Sequence, residues 1–283
     1  MSSLPSAHAA QPPAGIAPGS LAAWVMALRL RSMLIAISPV LVAVALVWQR
    51  TGALDVKLAL LVLGTSVLFQ IVTNLQNDVG YTLRGGEHSG TRIGLPRATS
   101  LGLLTTTQVR TAIALAIVAA ILIGLPVVLA RGWLVLAMGI ASIIGALAYM
   151  GGPRPIAYMP LGELVVFVFF GLFAVAGSDY ALAGVTVPPS TWLAAVAMGT
   201  LAAAALVVNN HRDINHDRYV GRRTFPVVFG AAASRRLYAA CLTVPFALLP
   251  MLAWLQSSPW FLLPLALAPA AWRLDRDFVS CPP

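Results

Sequence analysis

The sequence is poor in charged residues. Only 10% of its 283 residues are Asp, Glu, Lys or Arg, whereas 59% are hydrophobic and the mean hydropathy is +0.86. Ordinary soluble domains are roughly a quarter charged, so this composition excludes them. Cysteine is also scarce, and Cys241 and Cys281 have no spacing typical of a metal or redox site. We therefore expect neither cysteine to take part in chemistry.

Long apolar runs make up most of the chain. About 20 apolar residues are enough to cross ~30 Å of hydrocarbon. The segments that meet this length are 32–49, 57–76, 108–130, 133–150, 161–182, 190–210, 235–256 and 259–273. The sequence therefore predicts an all-α fold, a polytopic membrane helix bundle of about eight spans. It also predicts a disordered tail over 1–20, which lacks the charged start and apolar core of a signal peptide.

The basic residues predict the orientation in the bilayer. Lys and Arg accumulate on the cytoplasmic side of membrane proteins. With the N-terminus inside, all 18 basic residues except Arg50, Lys57 and Arg131 fall on the cytoplasmic side of the predicted spans. This bias predicts a cytoplasmic N-terminus and explains the net charge of +9 without a nucleic-acid partner.

The few acidic residues form two similar patterns at helix ends. Asn74 and Asp78 are four positions apart at the end of the second span, and Asn209, Asp213 and Asp217 repeat this interval after the sixth. An interval of four places side chains on one face of a helix. Each segment would therefore present a ladder of oxygen ligands at the same, cytoplasmic, end of the bundle.

Such ladders suit a hard cation. Mg²⁺ prefers oxygen ligands and is commonly held by one or two carboxylates together with substrate phosphates. Arginines, which bind phosphate oxygens well, accompany both ladders: Arg84, Arg92 and Arg97 follow the first, and Arg212, Arg218, Arg222 and Arg223 lie around the second. The sequence predicts an Mg²⁺-dependent site for a phosphate ester with an apolar tail. His211 and His216 are five apart and so diverge on a helix, which disfavours a zinc site.

A third polar segment, YMGGPRPIAYMPLGE, joins the fourth and fifth spans. Its glycines and prolines predict a fixed loop that holds Arg154 and Tyr158 at the cytoplasmic face. Glu163 follows just inside the next span, and an intramembrane carboxylate is a functional candidate by default.

Three stretches together resemble the signature regions of the UbiA superfamily of intramembrane prenyltransferases. They are TNLQNDVGYTLRGGEHSGTRIG, GGPRPIAYMPLGELVVFVFFG and NNHRDINHDRYVGRRTFPVVFG. The Gly-Gly-Pro-Arg-Pro loop and the third stretch are most similar to the branch that prenylates 1,4-dihydroxy-2-naphthoate in menaquinone synthesis. The resemblance covers roughly residues 25–275 and implies a prenyltransferase domain over 21–275, followed by a polar C-terminal tail at 276–283.

The resemblance also implies a mechanism and a set of site residues. Mg²⁺ would be held by Asn74, Asp78, Asn209, Asp213 and Asp217, and the prenyl diphosphate would contact Arg84, Arg154, Tyr158, Arg222 and Arg223. The allylic group would pass to the naphthoate ring with loss of CO₂, at a bacterial inner membrane. Where the family pattern continues with a second aspartate, this chain has Tyr81, a poor Mg²⁺ ligand, and it has one span fewer than the nine usual in the family.

Three alternative functions stay open on the sequence alone. The acceptor could be another aromatic compound such as 4-hydroxybenzoate. The chain could instead be a noncatalytic relative: a gain in turnover on Tyr81→Asp would indicate an impaired enzyme, and no turnover in either form would indicate loss of function. A membrane transporter is the remaining alternative, against which the carboxylates lie at helix ends and not at the midplane.

Overall fold

The protein is an all-helical bundle in a computed structural model that describes residues 15–85 and 96–280. These ranges contain no strand. The α-helices are α1 (Leu21–Leu28), α2 (Met33–Thr51), α3 (Val56–Leu83), α4 (Thr106–Arg131), α5 (Trp133–Met150), α6 (Gly162–Phe167), α7 (Ser178–Ala183), α8 (Pro189–Arg212), α9 (Ile214–Tyr219), α10 (Phe225–Leu255) and α11 (Ala268–Ser280). A π-helix, Val168–Gly177, joins α6 to α7, and 3₁₀-helices occupy Leu30–Ser32, Ile156–Tyr158 and Pro259–Leu267. The predicted fold class is confirmed.

Seven helical segments of the described chain are long and apolar enough to cross a membrane. They are Leu21–Thr51, Val56–Leu83, Thr106–Arg131, Trp133–Met150, Gly162–Ala183, Pro189–Arg212 and Phe225–Leu255. Each of the first seven predicted spans coincides with one of them. Large apolar side chains such as Leu129 and Leu122 are exposed on their surfaces, as expected where lipid is the solvent.

The eighth predicted span, 259–273, is not a continuous helix of spanning length. It forms the 3₁₀-helix Pro259–Leu267, which contains Pro264, followed by α11 with its charged residues. Proline has no N–H to donate within a helix, so Pro264 removes one of the hydrogen bonds that a continuous α-helix would form here. The expected count of about eight spans is therefore corrected to seven over residues 15–85 and 96–280.

The segment after α10 nevertheless returns to the end of the bundle where α8 finishes. The Phe278 ring of α11 lies 4.6 Å from the ring of His211 and 4.3 Å from that of Tyr238. Residues 276–280, assigned to a polar tail by the sequence analysis, belong to α11. Residues 1–14 and 281–283 of the two predicted tails lie outside the described ranges.

Close helix crossings bring the walls of the bundle together. A Cβ on Gly171 of the π-helix would lie 2.5 Å from the carbonyl oxygen of Ala195 and 2.7 Å from the Cα of Gly199 in α8. The two glycines face each other, so their backbones meet with no side chain between them. Small residues allow such approaches between membrane helices.

The π-helix extends one face of α6 along the interior of the bundle. Adjacent pairs at 165 and 166, 169 and 170, 173 and 174, and 177 and 178 all face the interior. An α-helix has 3.6 residues per turn, so pairs that repeat every four residues drift around it in one direction. The wider π-helical turn opposes this drift. It places Phe169, Phe170 and Phe173 along one wall.

Buried polar contacts close the end of the bundle opposite α8's C-terminus. Arg50 of α2 makes a two-pronged ion pair with Asp179 of α7 at 3.0 and 3.1 Å, and Thr191 of α8 donates to the same carboxylate at 2.8 Å. Arg131 donates to the carbonyl oxygens of Ala181 and Leu182 at the end of α7. We call this region the closed end, and the region where α3 and α8 finish the polar end.

Candidate functional site

A central cavity of about 490 Å³ runs between α3, α4, α5, the π-helix and α8. Its walls are apolar over most of their length, with Val62, Val135 and Ala181 near the closed end. Towards the polar end its lining becomes polar, and it includes Gln70, Thr73, Asn74, Asn77, Tyr149 and Asn209. The shape suits a molecule with an apolar tail and a polar head.

Asp78 lies at the polar end, where it holds the segment that precedes α4. It is 2% exposed, and its carboxylate accepts hydrogen bonds from the backbone N–H groups of Ala98 and Thr99, both at 2.9 Å. The Thr99 hydroxyl donates a third, at 2.6 Å. A carboxylate offers about four lone-pair sites, so about one remains for another ligand.

Asn74 lies at the edge of the cavity, and its polar atoms are bound to other parts of the chain. Its side-chain amide donates to the Leu28 carbonyl oxygen at 2.7 Å and to the Ser32 hydroxyl at 2.8 Å. Its side-chain oxygen accepts from Gln70 at 3.1 Å. These contacts fix α3 against the N-terminal helices, so they give Asn74 a structural role.

Asn77 is a residue of the site that the sequence analysis did not single out. It lines the cavity close to Asp78. It belongs to a polar stripe along α3, in which Ser66, Gln70, Thr73 and Asn77 follow one another at intervals of four, three and four. Such intervals place side chains on one face of a helix, so this stripe was the signal in the sequence that could have identified Asn77.

The second motif begins at the end of α8. Asn209 faces the cavity and is exposed within it. Asp213 caps the C-terminus of α8 and forms a two-pronged ion pair with Arg212 at 3.0 and 3.1 Å. Because the Arg212 side chain is 38% exposed, this pair lies at the surface of the polar end.

Asp217 belongs to α9 and is fully buried. One carboxylate oxygen accepts from Arg222 at 2.6 Å and the other from the Thr224 hydroxyl at 3.1 Å. Burial raises the pKa of Asp217 above its usual value; the carboxylate of Asp213 adds to the increase, while Arg222 and Thr224 oppose it. The two carboxylates of this motif are thus close enough to interact.

Arg222 joins the second motif to α3 and to the loop after α5. Its Nη1 also donates to the Tyr81 hydroxyl at 2.6 Å, and its Nε and Nη2 donate to the carbonyl oxygen of Ala157 at 3.1 and 3.0 Å. The two segments that the sequence analysis interprets as one motif used twice are therefore connected, through Tyr81, Arg222 and Asp217. The structure brings the C-terminal end of α3 next to the segment that follows α8, in agreement with the prediction that both motifs lie at the same end of the bundle.

The Gly-Gly-Pro-Arg-Pro loop lies over this cluster. The Arg84 guanidinium donates to the carbonyl oxygen of Gly152 and lies 5.4 Å from the Tyr158 ring centre. Burial raises the pKa of Tyr158. The Arg223 backbone N–H donates to the Tyr158 carbonyl oxygen at 3.1 Å, while the side chains of Arg154 and Arg223 are exposed. Arg92 lies outside the described residues.

Glu163 is buried beside α8. One of its carboxylate oxygens accepts from the side-chain amide of Asn210 at 2.8 Å. The residue is 6% exposed and does not line the central cavity among the residues that the structure describes. The contact therefore fixes α6 against α8 just below the polar end.

Comparison with known proteins identifies the family. Residues 36–279 match the UbiA prenyltransferase family. The chain is 40% identical over 228 residues to a 1,4-dihydroxy-2-naphthoate octaprenyltransferase of Escherichia coli, covering 78% of this chain and 72% of that one. It is 36% identical to the protein of the same name from Mycobacterium tuberculosis, covering 90% of this chain and 85% of that one.

Solved structures support the fold. The chain superposes with a TM-score of 0.64, at 16% identity, on a UbiA homologue from Archaeoglobus fulgidus bound to DMAPP and Mg²⁺, covering 90% of this chain and 85% of that one. The family match extends over most of the chain, and the signature segments quoted above all fall within it. The chain belongs to the UbiA prenyltransferase family.

Proposed function

We propose that this protein transfers a polyprenyl group from an all-trans prenyl diphosphate to 1,4-dihydroxy-2-naphthoate, with loss of CO₂, to give demethylmenaquinol, the reduced form of demethylmenaquinone. The observation that carries the proposal is an apolar cavity whose polar lining includes Asn74, Asn77 and Asn209, on the two helices whose polar ends carry Asp78 and Asp213. Relatives named for this reaction match the chain at up to 40% identity over most of its length.

The donor set at the polar end fits Mg²⁺. It consists of hard oxygen donors, which this ion prefers, and the carboxylates of Asp78 and Asp217 keep lone-pair sites beyond the hydrogen bonds that they accept. We assign Mg²⁺ to two sets of ligands on either side of the diphosphate: Asp78 of α3 on one side, and Asp213 and Asp217, with Asn209 as the amide ligand, on the other. Within the described part of the chain, no three acidic, His or Cys side chains form a complete metal cluster. Substrate phosphates and water would therefore supply the remaining ligands.

Asn74 is the weaker candidate among the predicted metal ligands. Its side-chain amide is bound to Ser32 and Leu28, and its oxygen accepts from Gln70. Asn77 lines the cavity one turn further along α3. We therefore propose Asn77 as the amide on α3 that takes the place expected of Asn74.

When bound, Mg²⁺ would neutralise negative charge on the departing diphosphate. The chain's own arginines would bind the phosphate oxygens. Arg222 would bind phosphate oxygens from the buried side of the cluster, while Arg84, Arg154 and Arg223 would bind them from the exposed side. Tyr158 would orient Arg84 by the contact of its ring with the guanidinium.

The cavity would bind the prenyl chain and keep water from the allylic carbon. Breaking its C–O bond develops positive charge on that carbon, and the aromatic rings of Phe169, Phe170 and Phe173 present faces that attract a cation. The electron-rich ring carbon of the acceptor would form the new C–C bond, and the ring carboxylate would leave as CO₂. An apolar, water-free cavity prevents hydrolysis of the intermediate.

The location of the site follows from the same arrangement. The segments of the polar end are rich in arginine, which predicts that this end faces the cytoplasm. The N-terminus would then be cytoplasmic and the membrane would be the bacterial inner membrane. Both substrates would reach such a site: the prenyl diphosphate from the lipid, with its head group at the membrane surface, and the naphthoate from the cytoplasm.

The proposal is tested in membranes that contain the protein, supplied with 1,4-dihydroxy-2-naphthoate or 4-hydroxybenzoate and a series of all-trans prenyl diphosphates. Mass spectrometry of the lipid extract should detect a demethylmenaquinone that disappears on chelation of Mg²⁺ and in Asp213→Asn. Asp55→Asn is the matched control, because Asp55 caps α3 at the closed end and asparagine also serves as a cap. If 4-hydroxybenzoate yields a product and 1,4-dihydroxy-2-naphthoate does not, the assignment of the acceptor is refuted. Full turnover by Asp213→Asn would refute the assignment of the metal ligands.

A further inference from the structure

Tyr81 lies between two arginine side chains at the polar end of α3. It is 4% exposed, and its hydroxyl accepts a 2.6 Å hydrogen bond from Arg222. The guanidinium carbons of Arg97 and Arg222 lie 5.0 and 5.3 Å from its ring centre. The ring is also stacked on His216 of α9, with 6.5 Å between the centroids. One side chain thus contacts three basic side chains, one from the segment before α4 and two from α9 and the loop that follows it.

These contacts hold positive charge in place without adding negative charge. A phenol hydroxyl accepts a hydrogen bond from a guanidinium but brings no carboxylate charge, and an aromatic face attracts a cation by its quadrupole. Arg222 already has an ion pair with Asp217. A second carboxylate on Arg222 would leave it less able to attract an anion, whereas the Tyr81 hydroxyl positions the guanidinium and leaves the local charge unchanged.

We propose that Tyr81 is a positioning residue for the diphosphate: it fixes Arg222 and Arg97 at the polar end so that their positive charge binds the diphosphate group. The inference rests on the proposed function and deepens it. Tyr81 acts through the arginines and does not itself bind the metal. Next to α3, the positive charge of the two arginines would accordingly add to that of the metal ion held by Asp78.

The proposal reverses the expected effect of one substitution. If position 81 mattered as a metal ligand, Tyr81→Asp would strengthen the site. In the structure an aspartate at this position would place a negative charge near Arg222, whose Nη1 contacts the Tyr81 hydroxyl, and would reduce the positive charge available to the diphosphate. Tyr81→Asp should therefore weaken diphosphate binding, and it should do so more than Tyr81→Phe, which loses the hydrogen bond but keeps the ring.

Binding of inorganic diphosphate with Mg²⁺ is the direct test, measured by calorimetry on the purified full-length protein in detergent. We expect Tyr81→Phe to raise the Kd about tenfold, which is the typical effect of losing a hydrogen bond to a charged group, and Tyr81→Asp to raise it further. Tyr180→Phe is the matched control, because that hydroxyl contacts the Arg131 carbonyl oxygen at the closed end. Steady-state kinetics should show a raised KM for the prenyl diphosphate with an unchanged KM for the acceptor.

The outcomes separate this proposal from the proposed function. Wild-type binding of diphosphate without prenyl transfer to any acceptor would refute the proposed reaction and leave the role of Tyr81 to be decided by the Kd series. Equal Kd values for the wild type and Tyr81→Phe, or tighter binding by Tyr81→Asp, would overturn the role given to Tyr81. If Tyr81→Phe does not fold, the Kd of Tyr81→Asp decides: a higher Kd than that of the wild type supports the role given to Tyr81, and a lower Kd overturns it. A parallel rise in both KM values would indicate a merely structural role.

Discussion

The depth of the central cavity sets the prenyl length that the protein can accommodate inside its walls, and Gly139 of α5 offers a way to shorten it. Gly139 lines the cavity, and a Cβ built on it meets nothing within 4 Å. A larger side chain therefore enters open space. At Gly145, by contrast, a Cβ would lie 2.6 Å from the Phe169 ring, so the same change there would displace the wall. We predict that Gly139→Phe blocks the part of the cavity near the closed end and leaves the polar end unchanged.

The expected cut-off follows from the helix geometry. Gly139 is ten positions from Tyr149, which corresponds to ~15 Å along α5 at a rise of about 1.5 Å per residue. An extended chain advances roughly 3.3–3.6 Å over three bonds, so a four-bond isoprene unit spans about 4.4–4.8 Å. About three isoprene units therefore fit between Tyr149 and the new ring. Gly139→Phe should retain turnover of geranyl and farnesyl diphosphates, and its kcat/KM for longer prenyl diphosphates should fall at least tenfold.

The assay compares kcat/KM over a series of all-trans prenyl diphosphates at a fixed acceptor concentration. Ile144→Phe is the matched control: it lies on the same helix, is 60% exposed and does not line the cavity. The control should keep the wild-type length profile. The assignment of the cavity to the prenyl chain would be refuted if Gly139→Phe lost kcat/KM equally for every prenyl length. It would also be refuted if the folded variant kept the wild-type dependence of kcat/KM on prenyl length.

Three further predictions concern packing and charge. Asp179→Ala leaves Arg50 without its buried partner at the closed end and should lower the free energy of unfolding by roughly 3 kcal/mol, seen as a lower Tm in detergent; an unchanged Tm would contradict the structural role. Gly171→Ala should also lower the Tm, because its Cβ would lie 2.5 Å from the Ala195 carbonyl oxygen, and a wild-type Tm would show that the crossing is looser than described. Because burial raises the pKa of Asp217, and binding of the metal needs the ionised carboxylate, kcat/KM should fall on acidification at a higher pH than for an exposed aspartate. An acidic limb in the ordinary aspartate range would argue against Asp217 as a ligand.

The positions of the spans could be predicted from the sequence because lipid imposes one strong requirement. Every segment that crosses the bilayer must be long and apolar and must satisfy its own backbone hydrogen bonds. This requirement identified seven spans correctly and failed at 259–273, where Pro264 and the charges of α11 divide an apolar run into two helices of different kinds. The composition of this segment shows that it is apolar, but it does not show which backbone hydrogen bonds form within it.

The polar end was predictable in outline and not in detail. Spacing by four placed Asn74 and Asp78 on one face of α3, but it did not say that the amide of Asn74 binds Leu28 and Ser32 while Asn77 lines the cavity. The direction of a side chain around a helix depends on which neighbours surround it, and those neighbours are distant in sequence. The similar spacing of the two motifs therefore predicted their location better than it predicted equivalent roles.

Position 81 shows how the structure changes the prediction that residue type alone suggests. Tyrosine is a poor ligand for Mg²⁺, and from the sequence this suggests a weakened site. The structure supplies the missing partner, Arg222, which lies 141 positions along the chain. With that guanidinium in contact, a neutral acceptor at position 81 preserves positive charge that an aspartate would cancel. A site for a diphosphate needs that charge, so the departure from the family pattern is consistent with anion binding by arginine as well as by metal.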